Sequence, residues 1–506
     1  MNALVARRRL GFCVVFFGAG LAFAGGCSDD RAPDDRVAAT PPADVEPDAP
    51  PPASVAPSAT SPDGAPPRPD CEPVPPPPPA VAPDVTVTVR ADRGPHGAAT
   101  PVKSAHGITG MSIADWRPED YYPTQDPDFV ALLSAISPGV LRWPAGHRSR
   151  GGGGQWGDWT LEPSRLEAFL ALAKKVGAEP LLAINTKRGT PAAAADLVRY
   201  VNVEKKHGVR YFQIGNEPDL TDDLTAGPEV YAEQVVAFVD AMRAVDPDLR
   251  AVGPELLTGA HIGGLHGRRD WLTPVLQRAP GRLAALSWHY YPLDSGQRNP
   301  QSSAIVSFEN LFQEEAPDWD PAAISFADRI MPSFAAIRDA HAPGAELWVT
   351  EFAEDPGPAF GAGLSDVLAG ALWTGDALGR YAEHGPGAVL RWVFKSPGQA
   401  FGILDDQNNP RPPLRRHVAL RAPLRRPVRR HRDDLRKDGA LTVMLVNKTD
   451  APKRVHVAVH AFCAERAEQH TLDGDAMGST AYTINGQTLS AATAQAGIAA
   501  EPIGDE

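Results

Sequence analysis

The sequence predicts an α/β fold: a (β/α)8 barrel of the TIM type with a C-terminal β-sandwich domain, to which a strand ahead of the barrel is expected to contribute. Three observations predict it. Over about 300 residues, eight short apolar runs alternate with amphipathic stretches, the repeat of a barrel unit. The runs are continuously apolar rather than alternating, as strands buried on both faces are. After them come short strands punctuated by Asn-Gly and Asp-Gly turns, the pattern of antiparallel sheets.

Residues 1–27 read as a lipoprotein export signal. Arg7, Arg8 and Arg9 supply its positive start, and 10–23 is an apolar run too short to span a bilayer comfortably as a helix. Ala24-Gly25-Gly26-Cys27 places small residues directly before a cysteine, the setting in which a bacterial Cys is lipidated. Cys27 is therefore the expected lipidation site. With Ser28 after it, the expected location is the cell envelope, lipid-anchored at the outer membrane of a Gram-negative bacterium. Residues 28–83 form a low-complexity linker: 19 of the chain's 52 prolines fall between Pro33 and Pro83. Such a segment lacks the apolar content to fold and stiffens toward polyproline II, which suits a spacer above a membrane. The segment 84–103 carries Val-Thr-Val-Thr-Val, the alternation of a half-buried strand.

The barrel is expected over 104–425. Its predicted strands are 107–112, 140–143, 180–185, 211–215, 251–254, 284–289, 347–350 and 389–394. Predicted helices lie at 163–176, 191–206, 228–245, 322–342 and 364–384. A doubly wound sheet is the alternative, but no Gly-x-Gly-x-x-Gly follows the first strand. In a barrel the chemistry sits where strands end. The second strand ends in Leu141-Arg142-Trp143-Pro144-Ala145-Gly146 and the third in Asn185. The fourth runs Gln213-Ile214-Gly215-Asn216-Glu217-Pro218-Asp219, and the sixth Ser287-Trp288-His289-Tyr290-Tyr291-Pro292. The seventh runs Leu347-Trp348-Val349-Thr350-Glu351-Phe352, and the eighth holds Arg391-Trp392-Val393-Phe394-Lys395. Two carboxylates thus converge from opposite strands. Glycoside cleavage requires such a pair, one protonated to donate to the leaving oxygen and one ionised to attack the anomeric carbon.

These strand-end motifs resemble the retaining glycoside hydrolases of clan A, and within it the heparanase and β-glucuronidase family, over about residues 84–506. The resemblance implies Glu217 as acid/base and Glu351 as nucleophile. It implies Asn216 on the sugar 2-hydroxyl, Arg142 and Tyr291 beside the nucleophile, and His289 by the acid/base or the substrate. Asn185 and Trp392 complete the candidate substrate contacts, Trp392 serving either as a sugar platform or as core. Glu354, three residues beyond Glu351, competes for the nucleophile role. The gly-rich stretch 151–154, near Trp143, Trp156 and Trp159, reads as a lid over the site or as a solvated loop. The expected partners are an oligo- or polysaccharide, β-glucuronides or related glycans, and a membrane through the lipid anchor. Lys395 is one candidate for pairing a uronate carboxylate. A catalytically inactive glycan-binding lipoprotein on the same barrel is the alternative.

A net charge of −13, from 49 basic and 62 acidic residues, excludes a nucleic-acid partner that needs a basic footprint. Four cysteines exclude a disulfide-stapled scaffold; in the mature chain Cys71 and Cys463 could pair. No cofactor and no metal are expected. His456 and His460 have helical zinc spacing but fall in a predicted strand, about 13 Å apart. The sandwich is expected over 437–506, with strands at 439–447, 454–461 and 481–489 and turns at Asp473-Gly474 and Asn485-Gly486; a separate carbohydrate-binding module is the alternative there. Residues 411–436 hold ten arginines where the eighth barrel helix belongs. That segment is an exposed basic patch or a local slip of the reading frame, and the second reading is favoured.

Overall fold

The computed structural model describes residues 11–18, 82–90, 104–115, 123–145, 163–219, 227–257, 269–292, 311–313, 326–354, 364–396, 401–414, 440–449, 451–460, 466–496 and 501–502. Strands β1 (Gly11–Gly18) and β2 (Val85–Arg90) precede a closed barrel of eight. Its strands are β3 (Gly110–Ala114), β4 (Val140–Ala145), β5 (Glu179–Ile184), β6 (Tyr211–Ile214), β7 (Arg250–Leu256), β8 (Leu283–Tyr290), β9 (Glu346–Phe352) and β10 (Ala388–Arg391). Neighbours pair in parallel and in chain order, and β10 closes on β3 through Leu390 and Gly110. All eight predicted strands are present, with ends shifted by a few residues. The doubly wound alternative is thereby excluded.

The helices are α1 (Pro127–Ile136), α2 (Pro163–Val176), α3 (Pro191–Val198), α4 (Gly227–Arg243), α5 (Leu272–Arg278), α6 (Phe326–His341) and α7 (Leu368–Glu383). Sequence periodicity missed α1 and α5. The start of α1 is encoded locally: Asp126 accepts from the backbone of Asp128 and Phe129, and Pro127 opens the first turn. After α3 the chain widens into a π-helical stretch, Arg199–Glu204, so the predicted 191–206 helix is two pieces. Most of 411–436, including the expected eighth helix, lies outside the described residues.

Alternation along each strand divides the barrel interior into levels. Val140, Leu181, Tyr211, Val252, Ala285, Trp348, Ala388 and Leu390 form a separate apolar layer inside it. Tyr211 and Trp348 fill its lower part with ring centroids 5.0 Å apart. His106 covers them, its Nε2 2.9 Å from the Tyr211 hydroxyl. Two residues further along the same strands stand Arg142, Gln213, Ser287 and Thr350, all fully buried. The apolar plug therefore sits toward the strand starts and a polar layer toward their ends.

Two irregularities re-aim the upper layer, as bulges beside active sites do. Between β8 and β9 the register passes from Trp288↔Val349 to His289↔Glu351, skipping Thr350. Between β7 and β8 it passes from Pro254↔Ser287 to Leu256↔Trp288, skipping Glu255.

Beyond the barrel lie β11 (Ala440–Val446), β12 (Val455–His460), β13 (Arg466–Gly474), β14 (Tyr482–Ile484), helix α8 (Ala491–Ala496) and β15 (Glu501–Pro502). They form two sheets, which account in part for the expected sandwich. β12 pairs in parallel with β2, so the Val-Thr alternation ahead of the barrel does join the C-terminal domain. Asn485 and Gly486 take left-handed φ of 49° and 73° in a two-residue turn, as expected. The expected Asp473-Gly474 turn is corrected: both residues continue β13, paired with Thr483 and Tyr482. His456 and His460 do lie along one strand, β12.

β1 runs antiparallel between β11 and β13, with Val14 opposite Met444 and His470. Its residues belong to the apolar run read as an export signal, and a chain beginning at Cys27 would lack this strand. Cys27 and the Pro-rich linker through residue 81 lie outside the described residues, as do Cys71 and Cys463. Among the described residues no helix is long and apolar enough to cross a membrane.

Trp348 is fully buried against the His106 and Tyr211 rings. Trp348→Ala should lower the unfolding free energy by about 3–5 kcal/mol, measured by denaturant titration, because the closed barrel cannot collapse into the cavity.

Candidate active site

The site is built on the guanidinium of Arg142, fully buried within β4. Its Nε donates to Gln213 Oε1, one Nη to Glu351 Oε1 and the other to Asn216 Oδ1. Gln213 in turn donates to the Gly215 carbonyl at 2.6 Å, which fixes its amide for Arg142. Burial opposes the charge on Arg142, but Glu351 and Glu255 outweigh it and hold the guanidinium above its usual pKa.

Glu351 takes a second donor from the Tyr291 hydroxyl. Burial first, then the charges of Glu351 and Glu217, raise Tyr291 well above the usual phenol, so it remains a donor. Glu217 shares a 2.8 Å hydrogen bond with Nδ1 of His289. The same nitrogen lies 3.5 Å from Glu351 Oε2, so the imidazole stands between the two carboxylates. Glu217 and Glu351 are each 3% exposed, and an oxygen of one lies within 4.8 Å of an oxygen of the other.

Local backbone brings Glu217 to this place. Gly215 has a φ of 80°, where an added Cβ would also meet Thr186 Oγ1 at 2.8 Å, so the turn requires glycine. Glu217 itself has a φ of 47°, a conformation that costs an L-residue about 1–2 kcal/mol. Its N–H donates to the Glu255 carbonyl at 2.9 Å. Asp219, last residue of the Asn-Glu-Pro-Asp stretch, accepts from the Leu257 N–H at 2.9 Å and ties this loop to the exit of β7.

Of the residues singled out from the sequence, Arg142, Asn216, Glu217, His289, Tyr291 and Glu351 come together. Asn185 makes its described hydrogen bonds within its own loop, accepting from Lys187 N and Arg188 N at 3.0 Å. Trp392 is buried, its ring edge-on to Phe401 at 6.4 Å, and Phe401 in turn faces Tyr291 at 6.4 Å. Trp143 stacks on Phe169 of α2 and belongs to the core. Residues 146–162, with Trp156, Trp159 and the glycine stretch, lie outside the described residues. Lys395 is buried and donates to Asn408 Oδ1 at 2.6 Å; Asn408 donates to Asp126. Glu354 is removed from competition with Glu351. It is fully engaged in a buried ion pair with Arg391, supported by Ser365 and Thr374.

Sequence reading passed over Glu255, the third carboxylate of the cluster. It is fully buried with a φ of 59°. Its Oε2 lies 3.1 Å from Nε2 of His289 and 3.7 Å from Arg142, and it accepts from Ser287 at 2.6 Å and Thr350 at 2.8 Å. Its place directly after Gly253-Pro254, where the predicted strand stops, was the sequence cue, but alternation does not say that it turns inward.

Glu217, His289 and Glu351 each bring one donor atom within 4.8 Å of the others, a span that could hold an ion. Those atoms are already engaged with one another, and Arg142 supplies the positive charge beside Glu351. The arrangement is suited to moving a proton at Glu217 while an oriented carboxylate, Glu351, faces the same space.

No protein-family model matches the chain, and no curated protein matches it. Solved structures do. The GH51 arabinofuranosidase from Xanthomonas axonopodis pv. citri superposes with a TM-score of 0.54 at 16% identity, covering 83% of this chain and 94% of its own. A monomeric β-xylosidase from Caulobacter crescentus CB15 gives 0.49 at 14% identity over 78% and 79% of the two chains. The family 51 α-L-arabinofuranosidase AbfB from Bifidobacterium longum gives 0.49 at 18% identity over 67% and 76%. The first of these establishes a shared fold with a clan A glycoside hydrolase, in line with the resemblance read from the strand ends. The narrower likeness to the heparanase and β-glucuronidase family is not confirmed by these neighbours.

The neighbouring carboxylates set a pH dependence. Burial works against the charged ring of His289, but Glu351, then Glu217 and Glu255, raise its pKa to about 10. A raised folded-state pKa contributes stability that is complete below the unfolded value near 6.5 and is lost as pH rises through the folded one. Unfolding free energy, followed by denaturant titration, should therefore fall between about pH 6.5 and pH 10. His289→Gln should flatten that slope.

Proposed function

We propose that the protein is a retaining glycoside hydrolase acting by double displacement. One observation carries the reading: two buried carboxylates, Glu217 after β6 and Glu351 on β9, approach within 4.8 Å at the strand ends of a parallel barrel. Retention works with carboxyl groups about 5–5.5 Å apart, whereas inversion needs about 6.5–9.5 Å to admit a water. Glu351, aimed by Arg142 and Tyr291, attacks the anomeric carbon. Glu217 gives its proton to the departing oxygen, then takes one from the water that cleaves the glycosyl-enzyme.

Asn216 supports a sugar in this space. Arg142 fixes its Oδ1, and its buried Nδ2 has no hydrogen-bond partner among the described residues. That leaves a donor beside Glu217 for a sugar hydroxyl. The substrate class follows less directly. β-Glucuronides remain the sequence-based choice, but Lys395 is committed to Asn408, which withdraws one candidate for the uronate charge. The residues alone do not choose among glucuronide, glucoside, xyloside and arabinoside, so all four enter the test.

An aryl glycoside panel of glucuronide, glucoside, xyloside and arabinoside tests the reading. Glu351→Gly should abolish turnover, with azide giving a glycosyl azide of inverted configuration. Glu217→Ala should slow poor leaving groups by about 10²–10⁴-fold yet give a burst with activated ones, and azide should then give the retained product. Wild-type rates in both variants would remove the site assignment.

Export and tethering through Cys27 belong to the same proposal, with the outer membrane as location. The reading is supported by the basic start, the short apolar run and the residues before Cys27. Cys27→Ser should release the protein from the membrane fraction. A mature chain retaining residues 11–18, found by N-terminal sequencing, would instead support their place as β1.

A further inference from the structure

The chemistry proposed for Glu217 needs a proton at hand, yet the groups around it are crowded with charge. Glu217, Glu255 and Glu351 are three buried carboxylates against two basic groups, Arg142 and His289. The His289 ring divides this set by its two nitrogens. Nδ1 faces Glu217 at 2.8 Å and Glu351 at 3.5 Å, while Nε2 faces Glu255 at 3.1 Å.

We infer that Glu255 is a positioning residue that keeps a proton on Nε2 of His289, so that Nδ1 and Glu217 share a second proton as one unit. The inference rests on Glu217 being the acid/base, and it assigns Glu255 a role that acts only through the imidazole.

The geometry makes Glu255 an acceptor. Ser287 and Thr350 both donate to it, and Arg142 stands 3.7 Å away, so its carboxylate has charge and donors already matched. Burial acts to raise its pKa; the His289 hydrogen bond and the Arg142 charge outweigh burial and leave it lowered. An ionised Glu255 cannot supply a proton to Nε2, so Nε2 must carry one. Nδ1 is then the nitrogen that exchanges a proton with Glu217 across 2.8 Å.

Two arrangements hold the same number of protons: imidazolium beside a Glu217 carboxylate, and neutral imidazole accepting from a Glu217 carboxylic acid. The second is the acid that a leaving group needs. Passing from one to the other moves one proton along one hydrogen bond and requires no exchange with water. The charge of Glu351 and the hydrogen bonds to Glu217 and Glu255 outweigh burial and raise the pKa of His289, which favours keeping the shared proton in place above neutral pH.

Other titratable neighbours do not replace Glu255. Tyr291 is occupied with Glu351. Tyr231 of α4 donates to the Ile214 carbonyl and is held protonated by burial and by the charges of Glu255 and Asp219. Asp219 is engaged by the Leu257 N–H. The backbone adds a second tie, since the Glu217 N–H donates to the Glu255 carbonyl while both residues hold left-handed φ. Two carboxylates in an uncommon conformation, linked through main chain and through one imidazole, is the arrangement expected where strain is kept for function.

The test compares wild type, Glu255→Gln and Glu255→Asp on one activated and one poor aryl leaving group, with kcat/KM followed across pH. Glu255→Gln should bring the alkaline limb down by about one pH unit or more, a tenfold loss on that side, and harm the poor leaving group more. Glu255→Asp, which keeps the charge, should restore most of the limb. An active Glu255→Gln enzyme with an unmoved limb overturns the inference while leaving Glu217 and Glu351 in their roles. Should the variants fail to fold, ¹⁵N NMR of histidine-labelled wild type decides. A His289 Nε2 protonated from about pH 5 to 9 supports the inference, and an unprotonated Nε2 at neutral pH overturns it. The NMR measurement needs no turnover, so it stands even if no glycoside is cleaved.

Discussion

A guanidinium with no access to water organises this barrel mouth. Moving an ion of that size out of water costs several kcal/mol, so Arg142 is tolerable only where carboxylates and hydrogen-bond acceptors surround it. Gln213, Asn216, Glu351 and Glu255 do so, from three different strands and the loop after one of them. Each of these partners is thereby held in one orientation. Glu351 is held at one oxygen by Arg142 and at the other by Tyr291, and Asn216 is held by its Oδ1. The positive charge is thus a structural requirement and a geometric tool at once.

The second constraint is the crowding of carboxylates. Three within one dry pocket need two cations and a shared proton to be stable together. The ring of His289 meets this by touching all three, and the two hydroxyls of Ser287 and Thr350 take up the remaining lone pairs of Glu255. A fourth carboxylate nearby in sequence, Glu354, escapes the crowd. It lies in a separate buried ion pair with Arg391, which explains why a carboxylate three residues from Glu351 takes no part in the cluster.

Much of this was legible without coordinates. The eight apolar runs determined the barrel, because a strand buried on both faces must be apolar throughout. The strand-end rule then located Arg142, Glu217, His289, Tyr291 and Glu351, because parallel strands bring their C-terminal ends to one face whatever the helices between them do. The turn at Asn485-Gly486 followed from the φ its residues tolerate, and the Val-Thr alternation ahead of the barrel announced a strand whose partner proved to be β12.

Tertiary structure alone decided the rest, and the reason is register. Glu255 was hidden because a skipped residue in β7 turns it inward, where simple alternation beyond Pro254 gives no such instruction. Thr350 and Glu351 are consecutive, yet both reach the interior, since a second skip in β9 breaks the period of two. Lys395 read as a candidate partner for a uronate by position, but a hydrogen bond formed only on folding joins it to Asn408. Sequence determines which side chains a strand carries and where it ends; the pairing of one strand against the next determines which way each of them points.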